Sequence, residues 1–335
     1  MVEIVAIIPR PGDMSATHPP TPSEGSCRSW LAPELATRLA ALPPPVIIFN
    51  KSHSGSRLLA ALLRNQGVFM GAELNESLDA LPFLPLVEHT VLNHHPDFSS
   101  LWQGGLWPRE LQTLITQALD RHLAGHRPGA AWGWKLCETT FIVPLLAVLF
   151  PSARFVHLLR DGRDVAFSDH VAPELPFWRK VYFGTAAVRS WNGMALDNAA
   201  YRRRSHLYNA RHWVEMVSLG RSYGAMLGPR YRELRYEALC ANLCGEGQRL
   251  LEWLGLPIDL PALARLADQV HCAAIGKHRD RPAAKLREVQ GIVEPMLLAC
   301  GYACTPQQPH VALPRRMARG AGLGLLLCRL GIRPR

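Results

Sequence analysis

The chain has 335 residues, with 37 Lys and Arg against 27 Asp and Glu and a formal charge of +10. Apolar residues at 48% and charged residues at 19% are values of a folded globular chain, not of a disordered or collagen-like one. No uninterrupted apolar run of about 18 residues occurs, which argues against a membrane-spanning helix, and eight scattered cysteines argue against a disulfide-built scaffold.

Residues 9–24 are rich in Pro, Ser and Thr, and Pro43 to Pro45 close that stretch, so residues 1–45 are expected to form a loose arm with one short helix near 32–41. Residues 1–8 lack the charged and apolar regions of a signal peptide, so a cytoplasmic location is expected. Strands are predicted at 46–49, 67–70, 132–136, 154–159 and 231–236 from short apolar, β-branched or alternating runs. Helices are predicted near 57–66, 109–124, 139–149, 163–170, 181–203, 209–226, 245–254, 260–270 and 283–301. Alternating strands and helices predict one α/β domain over 46–305, a three-layer sandwich around a central parallel sheet. Residues 306–335 follow as a basic tail.

Residues 46–63 read VIIFNKSHSGSRLLAALL. A buried strand, a small polar loop around Gly55 and a helix start make an anion site, because unpaired backbone N–H groups and the positive helix end converge there. Ser54 and Ser56 add hydroxyls, while Lys51, His53 and Arg57 add charge. The loop departs from the ATP-binding pattern, which needs a lysine directly after its last glycine; here Ser56 and Arg57 follow Gly55.

Residues 154–168 read RFVHLLRDGRDVAFS. Arg160 ends a strand, where open α/β sheets bind ligands, and Ser168 lies one to two turns into the following helix. An arginine fork and a hydroxyl at that place suit a second phosphate group, although a plain Arg-Asp surface pairing would also explain these charges.

Together the two segments resemble the PAPS-dependent sulfotransferase family, whose donor is 3′-phosphoadenosine 5′-phosphosulfate. His53 to Arg57 resemble the family loop that holds the 5′-phosphosulfate; Arg160 and Ser168, eight apart, resemble the motif for the 3′-phosphate. Arg235-Tyr236-Glu237-Ala238-Leu239 is similar to a strand end whose tyrosine region lies near the adenine. Lys277, His278 and Arg279 resemble the basic loop that closes over the 3′-phosphate. The resemblance covers roughly residues 45–305 and implies a P-loop NTPase-like fold, with Leu58 completing the donor loop and no metal required.

It also implies catalytic roles. The family lysine or arginine before Ser-Gly is His53 here, so either Lys51, two residues earlier, or a protonated His53 contacts the leaving oxygen. Lys135 matches the lysine facing the sulfuryl group. The histidine base of cytosolic members is missing, since its segment reads Lys135-Leu136-Cys137-Glu138. Glu73 best matches the glutamate base of other members, followed by Glu76 and then Glu88 or Glu138. A partly desolvated Glu73 would have a raised pKa suited to that work.

Residues 74–108 would shape the acceptor site, and Trp102 and Trp107 with several His and carboxylates suggest a saccharide or glycoconjugate, ahead of a phenolic or alcoholic natural product. The basic balance suits the anionic donor; nucleic acid is not expected, because no recognised motif carries the charge. Arg315, Arg316, Arg319, Arg329, Arg333 and Arg335 beside Leu323 to Leu327 suit either a peripheral anionic membrane contact through 313–335 or an ordinary C-terminal helix. Cys240 with Cys244 and Cys300 with Cys304 read as buried thiols more than zinc ligands, and His94-His95 as a surface turn. The rivals are a P-loop kinase or NTPase, which would need an acidic metal ligand where Arg160 stands, and a nucleotide-binding module without transfer activity.

Overall fold

Every residue of Val46–Phe49 is buried, as a central strand covered on both faces requires. In the computed structural model, which describes residues 27–95, 97–102, 105–168 and 198–303, this segment is β1. It lies between β2 (Gly133–Lys135) and β3 (Arg154–Leu159), and β4 (Tyr231–Arg235) flanks β3, giving the order β2-β1-β3-β4. All pairings are parallel. Ile48 stands opposite Lys135 and Val156, and Leu159 opposite Arg235. The C-terminal ends of the strands therefore share one edge, and Asn50, Leu136, Arg160 and Tyr236 leave the sheet there.

The period-two alternation of strands sorts the core into two faces. Ile47, Phe49, Trp134 and Phe155 pack on one face against α3 (Leu84–Asn93), α5 (Arg109–His122) and α6 (Val143–Leu149). Met216 and Tyr223 of α8 (Asn198–Leu227) join them. Val46, Ile48, Val156 and Leu158 face α2 (Ser56–Asn65), α10 (Leu243–Leu254) and α11 (Leu260–Ala267) on the other side. These are the three layers expected of the domain. A further cluster at the strand-end edge joins Leu159 and Val165 of α7 (Gly162–Ala166) with Trp213 of α8 and Val289 and Val293 of α12 (Ala283–Ala299). The remaining helices are α1 (Pro33–Ala41), α4 (Ser99–Trp102) and α9 (Tyr236–Ala241).

Four expectations change. The strand expected at 67–70 is a single bridge, Phe69 beside Trp132, bounded by Gly67 and Gly71, both with positive φ. The helix expected over 139–149 begins as a 3₁₀ turn, Cys137–Ile142, and becomes α-helical where Pro144 occupies the first turn. The break expected between 203 and 209 narrows to one non-helical residue, Arg204 (φ −124°, ψ 20°), at which two helical segments of α8 meet in a kink. Helix α3 was not expected at all; Pro85 sits in its first turn, where its missing N–H costs nothing. The arm at 9–24, the helix segment at 181–197 and the tail at 313–335 lie outside the described residues. Among the described residues no helix is long and apolar enough to cross a membrane.

Candidate active site

The loop after β1 is built from its own backbone. Ser54 N–H donates to the Lys51 carbonyl at 3.2 Å, and Leu58 N–H donates to the Gly55 carbonyl at 3.0 Å. His53 and Gly55 both take positive φ, 66° and 86°. Leu58 thus serves the turn that starts α2, a helix of ten residues whose first-turn N–H groups are those a phosphate uses. Ser54 and Ser56 are buried, and Arg57 is exposed on the first turn.

Gly55 meets Tyr236, which leaves the end of β4. A Cβ at Gly55 would lie 2.3 Å from the Tyr236 ring. The Arg160 guanidinium sits over that ring, 4.9 Å from its centre, so three strand ends meet at one aromatic side chain. Gly55→Ala should cost about 1–3 kcal/mol, from left-handed strain and the displaced ring. Equilibrium denaturation would read this, and an unchanged midpoint would contradict the contact.

Positive charge gathers beside the loop. Protein atoms crowding His53, followed by Lys51, Lys277 and Arg160, push its imidazole down to about 4, although part of the ring reaches solvent. His53 is therefore neutral near pH 7, chiefly through burial, with the three cations beside it adding to the effect. Lys51 is fully enclosed, with its ammonium 2.6 Å from the Ser52 hydroxyl. Burial pushes Lys51 down to about 7, against the opposing pull of Cys137 and Glu138.

The second segment and the C-terminal basic loop converge on the same edge. Arg160 donates to the His53 carbonyl at 3.0 Å and to the Ala274 carbonyl, while its buried Nε has no hydrogen-bond partner. Trp213 Nε1 holds the Arg160 carbonyl at 3.0 Å, fixing the strand end against α8. Lys277 Nζ lies 2.7 Å from the Ser168 hydroxyl, so the two segments expected to share a phosphate are in contact although far apart in sequence. Tyr236, Arg160, Ser168 and Lys277 are thus brought together, with Arg279 exposed at the rim.

His278 departs from expectation. Its ring is buried and its Nδ1 lies 2.7 Å from Asp164 Oδ1, so it faces the protein and not an open site. Burial alone would raise the Asp164 carboxyl; hydrogen bonds from the His278 ring and from the Gly276 and His278 N–H groups outweigh it and hold the pKa below the usual range. Beyond the loop lies a cavity of about 870 Å³ lined by Arg163, Arg235, Glu237, Arg279, Arg287 and Tyr302, among others.

At the end of β2, Lys135 is buried and its ammonium lies 2.6 Å from Asp79 Oδ1. Glu73 is engaged differently. It is a half-exposed carboxylate held by the Arg121 guanidinium, Nε at 2.9 Å, and that hydrogen bond keeps its pKa below the ordinary value. The desolvated, raised carboxyl expected of Glu73 is therefore not what the fold provides. Glu76 is exposed, and Glu138 is buried near Lys51. Trp107 is buried in the core, stacked on Trp30 at 6.3 Å, and Trp102 packs against both. Of the two indoles that suggested a sugar surface, Trp107 is core and Trp102 is half-buried against it.

Sequence reasoning missed Asp79, Asp164 and Trp213. Asp164 lay inside the second segment but read only as charge; Asp79 and Trp213 gain meaning solely from tertiary contacts. Among the described residues no group of three or more His, Cys, Asp or Glu is placed to hold a metal ion. Cys240 and Cys244 are reduced thiols, buried and half-buried, and Cys304 lies outside the described residues.

Arg160, Lys277 and Ser168 thus form a basic cup at the strand-end edge of the parallel sheet, the edge at which Lys135 also ends β2. A family profile described as the sulfotransferase family matches residues 44–260, well over half of the chain, and the chain belongs to that family. It is a sulfotransferase by this membership, and the family implies a PAPS donor. Solved structures that resemble it include the sulfotransferase domain of the Synechococcus PCC 7002 olefin synthase, at 19% identity and TM-score 0.41, covering 76% of this chain and 95% of that one. Sulfotransferase STF9 from Mycobacterium avium matches at 14% identity and TM-score 0.43, covering 80% of each chain. A retinol dehydratase in complex with androsterone and inactive cofactor PAP matches at 15% identity and TM-score 0.31, covering 77% of this chain and 74% of that one. No curated protein matches closely enough to stand as a relative.

Proposed function

We propose that the protein transfers a sulfuryl group from PAPS to a hydroxyl or amine of an acceptor by in-line displacement. The observation that carries the reading is the cation cluster around His53, where Lys51, Arg160 and Lys277 come from three separated segments. Residues present fit a donor with two phosphate-bearing ends. Arg160 has a buried, unpartnered Nε, and Lys277 already reaches the Ser168 hydroxyl, so these three would hold the 3′-phosphate. Ser54, Gly55, Ser56, Arg57 and Leu58 would hold the 5′ end at the start of α2.

The donor supplies an activated sulfuryl group; positioning and charge stabilisation fall to this chain. The acceptor oxygen or nitrogen bonds to sulfur as the bond from sulfur to the phosphate oxygen breaks, with its electron pair staying on the phosphate. Lys51, enclosed beside the loop, neutralises that developing charge, and Lys135 faces the sulfonate. The acceptor's proton passes to a carboxylate. Glu73 can take that role only after Arg121 releases it. Asp79 is itself paired with Lys135 and must likewise release its cation, but that pair lies at the end of β2, so we rank Asp79 ahead of Glu73.

The saccharide reading of the acceptor drew on Trp102 and Trp107 with the His and carboxylates of residues 74–108; Trp107 is buried in the core and Trp102 half-buried against it, so sugars and small alcohols or phenols stand level as candidates. Labelled PAPS offered to a panel of both, in EDTA, tests the function, and no transfer to any member beyond the rate to water counts against it. With an acceptor in hand, Asp79→Asn should cut turnover about a hundredfold or more, the scale of a lost general base, with donor affinity kept. Glu73→Gln should stay within about tenfold, because it removes only an exposed ion pair. The reverse order would return the base to Glu73.

A further inference from the structure

Asp164 is the point at which the second segment and the C-terminal basic loop are joined. Its carboxylate is fully buried and serves the loop from both oxygens. Oδ2 accepts from Gly276 N–H at 2.7 Å; Oδ1 accepts from His278 N–H at 3.1 Å and lies 2.7 Å from His278 Nδ1. Arg160 stands 3.8 Å from Oδ2. The residue between these two anchors is Lys277, whose ammonium lies 2.7 Å from the Ser168 hydroxyl. The Ser168 hydroxyl in turn donates to the Asp164 carbonyl at 3.1 Å, so main chain and side chain of one residue set both partners.

We infer that Asp164 is a positioning residue that confers selectivity for a 3′-phosphate, by clamping residues 276–278 so that Lys277 faces Ser168. The inference rests on the PAPS reading and deepens it. A carboxylate beside a phosphate site repels the ligand if its charge is open; here both oxygens are spent on N–H donors, and the loop they hold carries the cation that reaches Ser168. His278, turned inward, is part of the clamp, which accounts for its burial within a loop whose other basic residues are less enclosed. Without the clamp, Lys277 on a freed loop must be ordered by the ligand itself, and that ordering lowers affinity.

The test compares PAP, the desulfated product, with AMP, which lacks only the 3′-phosphate, by calorimetric titration of the full chain. Wild type should prefer PAP by about a hundredfold or more, as expected for added charge-assisted hydrogen bonds. Asp164→Asn should lose about tenfold or more of PAP affinity and keep AMP affinity within about twofold, a change of ratio that general loosening would not produce. His278→Ala, which leaves the backbone anchors of Asp164, should move the ratio in the same direction by less. Should Asp164→Asn fail to fold, His278→Ala decides alone. A preference unchanged in the folded variants overturns the inference and leaves the donor reading standing. A wild type that does not distinguish PAP from AMP overturns both.

Discussion

Arg160→Ala is expected to weaken PAP binding by at least about a hundredfold, since each hydrogen bond from a charged donor contributes about 1.5–3 kcal/mol and 1.4 kcal/mol is tenfold. The guanidinium is buried at the end of β3, bridges the His53 and Ala274 carbonyls, stacks over Tyr236 and keeps Nε unpartnered. Arg160→Lys should recover little of the loss, because a single ammonium cannot span the two carbonyls and face a phosphate at once. Calorimetry with PAP reads both variants. Binding within about threefold of wild type in Arg160→Ala would remove the residue from the donor site.

Lys51 carries the second large effect. With its ammonium pushed down to about 7 by burial, the free protein holds Lys51 partly neutral just above neutral pH. An anion bound beside it favours the charged form, so binding takes up a proton there. The sign follows: PAP affinity is greatest with Lys51 charged, below about pH 7, and falls by up to about tenfold per unit as pH rises above it. Lys51→Met should lower transfer by about a hundredfold or more and abolish that pH dependence, while Lys51→Arg should flatten it because arginine stays charged. His53 is pushed down to about 4, so a neutral imidazole faces the cup at neutral pH. His53→Gln should therefore cost much less than Lys51→Met, about tenfold or under. Transfer rates and the proton uptake measured in buffers of differing ionisation enthalpy check both, and a larger loss in His53→Gln would exchange the two roles.

The parts of the site that were legible in the sequence are those encoded locally. A run of β-formers, a small polar loop and a helix start specify β1, residues 50–57 and α2 by short-range chemistry alone. Arg160 directly follows β3, whereas Ser168 lies just past α7, which ends at Ala166 and not near 170 as expected. Lys277 was legible as a basic residue after Gly276, but its contact with Ser168 depends on how α12 and α8 pack against α7. What stayed hidden was tertiary. Nothing near Glu73 in sequence announces Arg121, which reaches it from the C-terminal turn of α5, and nothing near Lys135 announces Asp79. Trp102 and Trp107 carry the same composition whether they stack on a sugar or on Trp30; only burial distinguishes the two. Segment 67–70 has the composition of a strand, yet a two-glycine frame limits it to one bridge.

The measurement that tests the central claim most directly is calorimetric titration of the full chain with PAP and, separately, with ATP, both in EDTA. A cup built from Arg160, Lys277 and Ser168 predicts saturable PAP binding and none for ATP, which lacks the 3′-phosphate. Absence of PAP binding, or ATP binding that appears only when Mg²⁺ is restored, would contradict the account and place the site among the phosphoryl-transfer enzymes.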